Sequence, residues 1–156
     1  MFRGATKVTI DDKGRIKLPS SLTKQLLEQG VALNFMLNRG FEKCLMLYPK
    51  TVWDQKATEV DRLNLYDPDQ RQFVRYFYRG ATMVMGDTAE RILIPKNLVD
   101  HASLDKDIVL FAYLNQIEVW NSKMYYDEMA KEPAQFSELA AKVFGGVSTQ
   151  HLIQQA

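Results

Sequence analysis

Residues 3–19 read RGATKVTIDDKGRIKLP, and residues 79–95 read RGATMVMGDTAERILIP. The two stretches lie 76 residues apart and are identical at nine of seventeen positions. Unrelated segments would share roughly one position by average residue usage. Because repeated sequence indicates a repeated structural unit, the chain predicts two copies of one small fold, related by an internal pseudo-two-fold axis.

Each copy has the pattern of two short strands joined by a polar turn. We expect strands at residues 5–10, 15–18, 81–85 and 91–94. The turns between them fall at 11–14 and 87–90. Pro19 and Pro95 end the second strand of each copy and suit the first turn of a following helix, where a missing N–H costs little.

Hairpins and further helices complete the prediction. Hairpin strands are expected at 33–37, 44–48, 108–112 and 117–120. Helices are expected at 51–62, 68–78, 122–131 and 136–144. A further helix is expected after each proline. Its apolar face consists of Leu22, Leu26 and Leu27 in the first copy, and of Leu98, Val99 and Ala102 in the second. Asp67 precedes Pro68 and is the expected N-cap of the helix at 68–78.

That helix carries two stripes. Phe73, Tyr76 and Phe77 form an apolar stripe that we expect to lie in the core. The arginine row 71, 75 and 79 recurs every four residues and is expected to be solvated.

These elements indicate a mainly β fold with peripheral helices. The expected organisation is a first repeat at 1–63, a linking helix at 64–78, a second repeat at 79–145 and a polar, mobile tail at 146–156.

Composition excludes several classes of protein. The 156 residues are 46% apolar and 25% charged, which is typical of soluble globular chains. The apolar runs are shorter than the ~20 residues that cross a bilayer, and no signal-peptide core precedes the first repeat, so a cytoplasmic protein is expected. One cysteine, Cys44, excludes an internal disulfide, and with His101 and His151 it makes a poor zinc site, so no cofactor is expected. The strand pattern predicts that Cys44 is a small buried residue.

Net charge is +1, but positive charge is concentrated in the first copy. Residues 1–25 carry six lysines and arginines against two aspartates, whereas residues 79–100 balance. Short charged runs often mark solvated faces. The asymmetry nevertheless makes the first copy the expected contact surface for an anion.

The repeated turn places an arginine at the start of a strand. Asp11 can bond its own turn, and Gly14 permits the positive φ that a tight turn requires. Arg15 then leaves the turn on a rigid strand, and its guanidinium can bind a phosphate or a guanine edge with two hydrogen bonds. Lys13 adds positive charge at the tip. A two-fold protein suits a two-fold partner such as duplex DNA.

The chain resembles the MraZ family, double-repeat relatives of the AbrB/SpoVT swapped-hairpin DNA-binding proteins. The resemblance covers residues 1–145 and rests on the motif at 11–19, its second copy at 87–95, and the hairpin ends Tyr48-Pro49 and Glu118-Val119-Trp120. It implies a double-split β-barrel made of two packed halves, and subunits that assemble into a closed ring.

The resemblance also implies a function. Members of the family bind short tandem repeats upstream of the division and cell-wall operon that begins with their own gene, and act mainly as repressors. We therefore expect this protein to be nucleoid-associated. Arg15 and Arg91 correspond to the DNA-contacting arginine of each motif. From charge and position we add Lys13, Arg3 and Lys7 as phosphate contacts, with Gly14 shaping the turn.

The second turn departs from the family pattern, with Glu90 where the first has Gly14. This change removes the residue that adopts positive φ easily and brings a carboxylate beside Arg91, where it could pair with the arginine or repel phosphate. We therefore hypothesise that the first repeat reads DNA and the second mainly supports the fold and the ring.

The sequence gives less support to other functions. The sequence holds no nucleophile elbow, phosphate loop or metal-ligand spacing, and the neighbouring carboxylates Asp11 and Asp12, or Asp105 and Asp107, lie in turns where aspartate is common, so we expect no enzyme. The alternative is an antitoxin-like or self-assembling protein-interaction module. RNA binding is a weaker option, because the clustered aromatic residues fall on a helix rather than an exposed sheet.

Overall fold

The computed structural model describes residues 3–131 and 133–145. It divides the chain into two units, one ending at Ser122 and the other beginning at Lys123. The tail at 146–156, expected to be polar and mobile, lies outside the described residues.

In the first unit both copies fold as strand, short strand, helix and hairpin. The first copy consists of β1 (Gly4–Thr9), β2 (Arg15–Lys17), α1 (Ser20–Glu28), β3 (Asn34–Arg39) and β4 (Leu45–Pro49). Helices α2 (Lys50–Asp61) and α3 (Pro68–Arg79) follow. The second copy consists of β5 (Thr82–Met85), β6 (Arg91–Leu93), α4 (Lys96–His101), β7 (Asp107–Tyr113) and β8 (Gln116–Asn121). The strands and the helices α2 and α3 begin and end within two residues of their predicted bounds, which is the usual uncertainty of such boundaries.

The described residues of the second unit are mainly helical. Helix α5 (Ser122–Met129) begins where the sequence predicted, and α6 (Pro133–Gly145) begins three residues earlier than predicted. The earlier start has a physical reason, because Pro133 suits the first turn of a helix. Large apolar side chains of α6 are exposed, among them Phe136, Leu139 and Val143.

The strands of the two copies are interleaved. The larger sheet has the order β1-β7-β8-β4-β3-β5, and every neighbouring pair is antiparallel. Strand β1 of the first copy pairs with β7 of the second, and β5 of the second copy pairs with β3 of the first. The central pair, β4 and β8, joins equivalent strands of the two copies. This pairing gives the pseudo-two-fold arrangement that the repeat predicted.

The remaining strands, β2 and β6, form a separate two-stranded antiparallel ribbon. Its two isoleucines, Ile16 and Ile92, lie opposite each other and are fully buried. They join Phe35 and Leu37 of the first copy and Ile108 of the second in one apolar core. Burial of such side chains, at about 1.5–3 kcal/mol each, is what holds the two copies together.

The predicted fold class, mainly β with peripheral helices, is confirmed. Within the described part of the chain, the sheet edges β1 and β5 are not hydrogen-bonded to each other, so the strands do not form a closed barrel. Each copy instead contributes strands to both the sheet and the ribbon. No helix in the described residues is long and apolar enough to cross a bilayer.

Helix α1 buries a narrower face than the sequence predicted. Leu22 and Leu26 are buried, but Leu27 is 54% exposed. The helix ends at Glu28, and Gly30 adopts φ +72°, the left-handed conformation in which glycine commonly follows a helix.

The prediction that the apolar stripe of α3 lies in the core is wrong. Phe73 and Tyr76 are 37% and 57% exposed, and α3 has no buried residue. Of this stripe, only Phe77, which is partly buried, packs on a small core cluster of Met46, Tyr48 and Trp53, and its ring stacks on that of Trp53 with centroids 5.1 Å apart. The main core is already filled by residues from both copies, so α3 covers the outside and leaves one flank open. The predicted N-cap is confirmed, since the Asp67 side chain accepts from the Asp69 N–H at 3.4 Å.

The arginine row on the other side of α3 is largely solvated, as predicted. Arg75 and Arg79 are exposed, whereas Arg71 is half-buried and donates from Nη1 to the Leu65 carbonyl at 2.9 Å. Cys44 is fully buried, which confirms its prediction as a small apolar residue.

Candidate nucleic-acid interface

The β2–β6 ribbon separates its side chains into two faces. Ile16 and Ile92 point into the core, and because side chains alternate along a strand, their neighbours point away from it. The outward face carries Arg15, Lys17, Arg91 and Leu93. Three cations therefore occupy the exposed side of a ribbon whose other side is anchored in the core.

A compact network holds the first turn. Asp11 Oδ1 accepts from the backbone N–H groups of Lys13 and Arg15 at 3.0 and 2.9 Å. Its Oδ2 accepts from Arg15 Nε at 2.7 Å. The Gly14 N–H donates to the Asp11 carbonyl at 3.0 Å, and Gly14 has φ +83°. The expectation that Asp11 bonds its own turn is confirmed, and the same carboxylate also orients the arginine.

The second turn repeats this network. Asp87 Oδ1 accepts from the N–H groups of Ala89 and Arg91, both at 2.9 Å. Oδ2 accepts from Arg91 Nε at 2.9 Å. The Glu90 N–H donates to the Asp87 carbonyl at 2.9 Å. The two arginines are thus held by the same bonds despite the differences in sequence between the turns.

These bonds keep both aspartates ionised. The hydrogen bond from the Arg15 backbone N–H lowers the pKa of Asp11 below the ordinary value of 3.8, and the Arg15 side chain lowers the pKa further. The Arg91 backbone N–H lowers the pKa of Asp87 in the same way. Both carboxylates are therefore charged at neutral pH and fix the arginines rather than exchanging protons.

The arginines keep their outer donors available. Each aspartate takes only the Nε–H, and within the described residues the Nη atoms of Arg15 and Arg91 make no hydrogen bond. The two side chains are 30% and 35% exposed. A guanidinium held at Nε still presents four N–H donors in a plane, which suits a phosphate or the O6/N7 edge of guanine.

Glu90 adopts the conformation of the glycine that it replaces. Its φ is +60°, and its carbonyl accepts from the Leu18 N–H at 2.9 Å, just as the Gly14 carbonyl accepts from the Ile94 N–H at 2.8 Å. The carboxylate bonds neither to Arg91 nor along the turn. Its Oε2 accepts from Thr23 Oγ1 of α1, in the other copy, at 3.0 Å.

Strand pairing in the ribbon brings a positive charge of the first copy next to the arginine of the second. Lys17 lies directly opposite Arg91, and Leu93 lies directly opposite Arg15. Directly opposed residues have Cβ atoms about 4.5–5.5 Å apart, so Lys17 of the first copy adds its charge beside the arginine of the second. Charge counted along the chain assigns this lysine to the first copy alone. The lower positive charge and the Glu90 carboxylate are therefore weaker reasons to treat the second turn as different. The hypothesis of unequal repeats stays a prediction.

Lys17 and Leu93 are the residues of this face that sequence reasoning missed. Strand alternation gave a signal for both, since Lys17 is two residues from Arg15 and Leu93 two residues from Arg91. The sequence contained no indication of which residues would be cross-strand partners, because the periodicity of one repeat does not determine how its strands pair with those of the other.

The other predicted phosphate contacts lie on three different parts of the first copy. Lys13 is exposed within the first turn, next to Arg15. Lys7 lies on β1, an edge of the sheet, paired with Val109. Arg3 precedes β1 and lines a surface groove with Ser21 near the start of α1. The structure thus places Lys13 beside the arginine in the first turn, Lys7 on the edge strand β1 and Arg3 at the groove beside α1.

Acid–base or metal chemistry has little support at this face. The carboxylate oxygens of Asp11 and Asp87 are occupied by hydrogen bonds. Among the described residues, no group of three or more histidine, cysteine, aspartate or glutamate side chains is arranged to hold a metal ion.

The fold and this face define a class of protein: an internally duplicated β protein that presents two matched arginine turns on one ribbon. A family model described as "MraZ protein, putative antitoxin-like" matches the chain twice, over residues 1–76 and 77–145. The chain belongs to the MraZ family.

Curated relatives agree over most of the chain. A protein of Cytophaga hutchinsonii is 36% identical over 141 residues, which cover 90% of this chain and 93% of the relative. One from Flavobacterium psychrophilum is 36% identical over 149 residues (93% and 92%), and one from Moorella thermoacetica is 35% identical over 144 (92% and 96%). All three are named "Transcriptional regulator MraZ". The chain is therefore a transcription regulator and not an enzyme.

Proposed function

We propose that this regulator binds duplex DNA with sequence specificity through the outward face of the β2–β6 ribbon. The observation that carries the proposal is the pair of matched networks that hold Arg15 and Arg91 at Nε and leave their outer donors available. A two-stranded ribbon fits the major groove, where base edges are distinguishable. The buried Ile16 and Ile92 make this ribbon rigid, so less freedom is lost on binding.

Each cation has a role in the proposal. Arg15 and Arg91 read base edges or grip phosphates through their Nη donors. Lys17 and Lys13 neutralise nearby phosphates, while Lys7 and Arg3 extend the contact along the first copy. Gly14 shapes the first turn. With about four phosphate contacts, affinity falls about 100-fold between 50 and 200 mM salt.

The finer function follows the family resemblance. The proposal is that the protein represses its own division and cell-wall operon by binding tandem short repeats in the promoter, as a ring of subunits in the cytoplasm at the nucleoid. In each subunit the two repeats, at 1–63 and 79–145, act as a pair joined by the linking helix at 64–78. Several weak contacts on neighbouring sites add up to tight binding when the spacing of the sites matches that of the subunits.

The test is binding to DNA from upstream of the protein's own gene, beside a scrambled fragment, at two salt concentrations. The expected result is tight, salt-sensitive binding to the native fragment alone, weak binding to one operator repeat and strong binding to several. Equal affinity for both fragments would contradict sequence specificity, and no binding to either would overturn the DNA function.

Substitutions connect this binding to the ribbon. Arg15→Ala is expected to weaken binding about 10-fold or more, since a good bidentate contact contributes roughly 1–3 kcal/mol. Arg91→Ala is measured beside it: a similar loss supports contact by both turns, and a much smaller loss supports the hypothesis of unequal repeats. Arg75→Ala, on the exposed side of α3, is the matched control and leaves affinity unchanged.

A protein-interaction function is the second candidate, favoured by the antitoxin-like description of the family and by the open flank of α3. Pairing through that apolar surface would survive moderate salt, whereas binding to phosphates would not. Salt-resistant association with another protein, unaffected by Arg15→Ala, would support this candidate.

A further inference from the structure

The second turn is tied to the first copy by a contact that has no equivalent on the other side. Glu90 Oε2 accepts from Thr23 Oγ1 at 3.0 Å. At the equivalent positions, 76 residues away, Gly14 has no side chain and Val99 has no hydroxyl. The two halves therefore share their backbone geometry but hold it by different means.

Thr23 is a firm anchor. It is 2% exposed and lies within α1, whose Leu22 and Leu26 pack into the main core. Its hydroxyl also lies 3.2 Å from the Ser20 carbonyl, but it has one proton to donate. An ionised carboxylate is the stronger acceptor, so the bond to Glu90 is favoured.

The carboxylate also suits its place on α1. This helix has no acidic residue in its first turn and no side-chain hydrogen bond at its N-cap. Thr23 lies about one turn from the helix start, where a negative charge interacts favourably with the helix dipole. Glu90 of the second copy brings such a charge to this end of α1.

The turn needs this tie because its conformation is unfavourable for glutamate. A side chain at φ +60° is strained, whereas glycine at φ +83° in the first turn is not. Arg91 is the next residue, and its backbone N–H is part of the Asp87 network. Relaxation of Glu90 toward negative φ would disturb that network and turn the arginine away from its present direction.

We propose that Glu90 is a positioning residue for DNA binding: its bond to Thr23 holds the second turn, and with it Arg91, in the geometry that Gly14 gives the first turn. This inference rests on the proposed DNA-binding function. It assigns the carboxylate a supporting role, in place of the repulsion of phosphate that its charge alone suggests.

The test uses the full chain and the upstream DNA fragment, with three single variants. Glu90→Gly removes the tie but permits positive φ, Thr23→Val removes the hydroxyl and copies Val99, and Glu90→Gln keeps an acceptor without charge. We expect Thr23→Val to weaken binding about 3- to 10-fold. Glu90→Gly should weaken it less, and Glu90→Gln should weaken it about twofold, because a neutral amide is a weaker acceptor for the Thr23 hydroxyl than a carboxylate. Repulsion predicts the opposite sign, with tighter binding by both Glu90 variants.

Each variant is also combined with Arg91→Ala and, separately, with Arg15→Ala. If Glu90 acts through Arg91, Thr23→Val has no further effect in the Arg91→Ala background but keeps its effect in the Arg15→Ala background. A general loss of folding would weaken binding equally in both. Thermal unfolding of Glu90→Gln and Thr23→Val shows whether either variant has lost its fold.

Amide hydrogen exchange gives a readout without DNA. Thr23→Val is expected to speed exchange at Ala89 and Arg91, and to leave Lys13 and Arg15 unchanged as the internal control. Unchanged exchange at the second turn, tighter binding by Glu90→Gly, or an equal effect in both arginine backgrounds would overturn the inference while the DNA function stands. A wild-type protein without DNA affinity would overturn both.

Discussion

At the scale of single residues, each turn is built around an aspartate and an arginine four positions apart. The Asp11 carboxylate shapes the turn with one oxygen and directs Arg15 with the other. The same bonds recur at Asp87 and Arg91, so the shape of the turn and the direction of the arginine are determined by the aspartate and the arginine and not by the residues between them. A direct consequence is that the pKa values of the Asp11 and Asp87 carboxyls are lowered.

The first residue-scale prediction concerns Asp11. Its pKa is lowered in the fold, so its stabilising effect is complete above the unfolded-state value, near 3.8, and is lost as pH falls through the lower folded-state value. We therefore expect the proposed DNA binding to be insensitive to the titration of Asp11 between pH 5 and 8. NMR titration of the side-chain carboxyl should give a midpoint below 3.8.

An Arg15→Ala variant separates the causes of that shift. The backbone N–H of residue 15 is the largest cause, so the Asp11 midpoint should rise but stay below 3.8 in the variant. A return to the ordinary value would show that the side chain dominates. Asp87, left intact, is the control in the same sample.

The second residue-scale prediction uses two neighbouring leucines of α1. Leu26 is buried at 2% exposure, and Leu26→Ala is expected to lower the free energy of unfolding by about 2–4 kcal/mol through lost burial and a cavity. Leu27 is largely exposed, and Leu27→Ala should change it by less than about 0.5 kcal/mol. Urea unfolding of both variants is the measurement, and equal losses would contradict the observed helix face.

At the scale of elements, the ribbon carries one conspicuous asymmetry. Its outward pairs are Arg15 with Leu93 and Arg91 with Lys17, so one arginine has an apolar neighbour and the other a cation. Leu93 is 55% exposed, and on a DNA-facing surface such a side chain suits the methyl group of thymine. The two arginines are therefore expected to meet different base steps.

Substitutions across the ribbon test this difference. Lys17→Leu should make the decrease of log affinity with log salt less steep by about 0.9, the value for one phosphate contact. Leu93→Lys should make this decrease steeper by about the same amount, and should reduce discrimination between native and scrambled DNA. Unchanged slopes in both variants would place Lys17 and Leu93 outside the interface, and Arg75→Ala is again the control.

The sequence predicted the elements better than their partners. Strand alternation and the prolines located β2 and β6, and the Asp-to-Arg spacing located both turns. The pairing of Lys17 with Arg91 and the bond from Thr23 to Glu90 join residues of different copies, and periodicity within one copy carries no information about them. The stripe of α3 was misplaced for a related reason, because an apolar face predicts burial but does not tell which surface will bury it.

At the scale of the whole molecule, the two copies complete each other. Strand β1 finds its partner β7 in the second copy, and β5 finds β3 in the first. The two isoleucines of the ribbon, one from each copy, lie opposite each other in the shared core. One copy alone would expose the edge of β3 and lack half of the core.

A fragment of residues 1–63 tests this dependence. As a monomer it should be unfolded, and at high concentration it should gain β structure as a homodimer, with each β1 taking the place of β5 on its partner's β3. Circular dichroism and sedimentation across a concentration series are the measurements. A folded monomer at low concentration would show that the copies are independent.

The contact between Thr23 and Glu90 acquires its meaning from the fact that both copies are in one polypeptide. A homodimer of single repeats carries every substitution twice, so a change on one half always appears on the other. Tandem fusion fixes a one-to-one stoichiometry of unlike halves and allows compensating changes, such as threonine in one half and glutamate in the other, to accumulate together. The two ends of the molecule are thereby distinguishable, so the proposed binding surface has one direction along a DNA duplex.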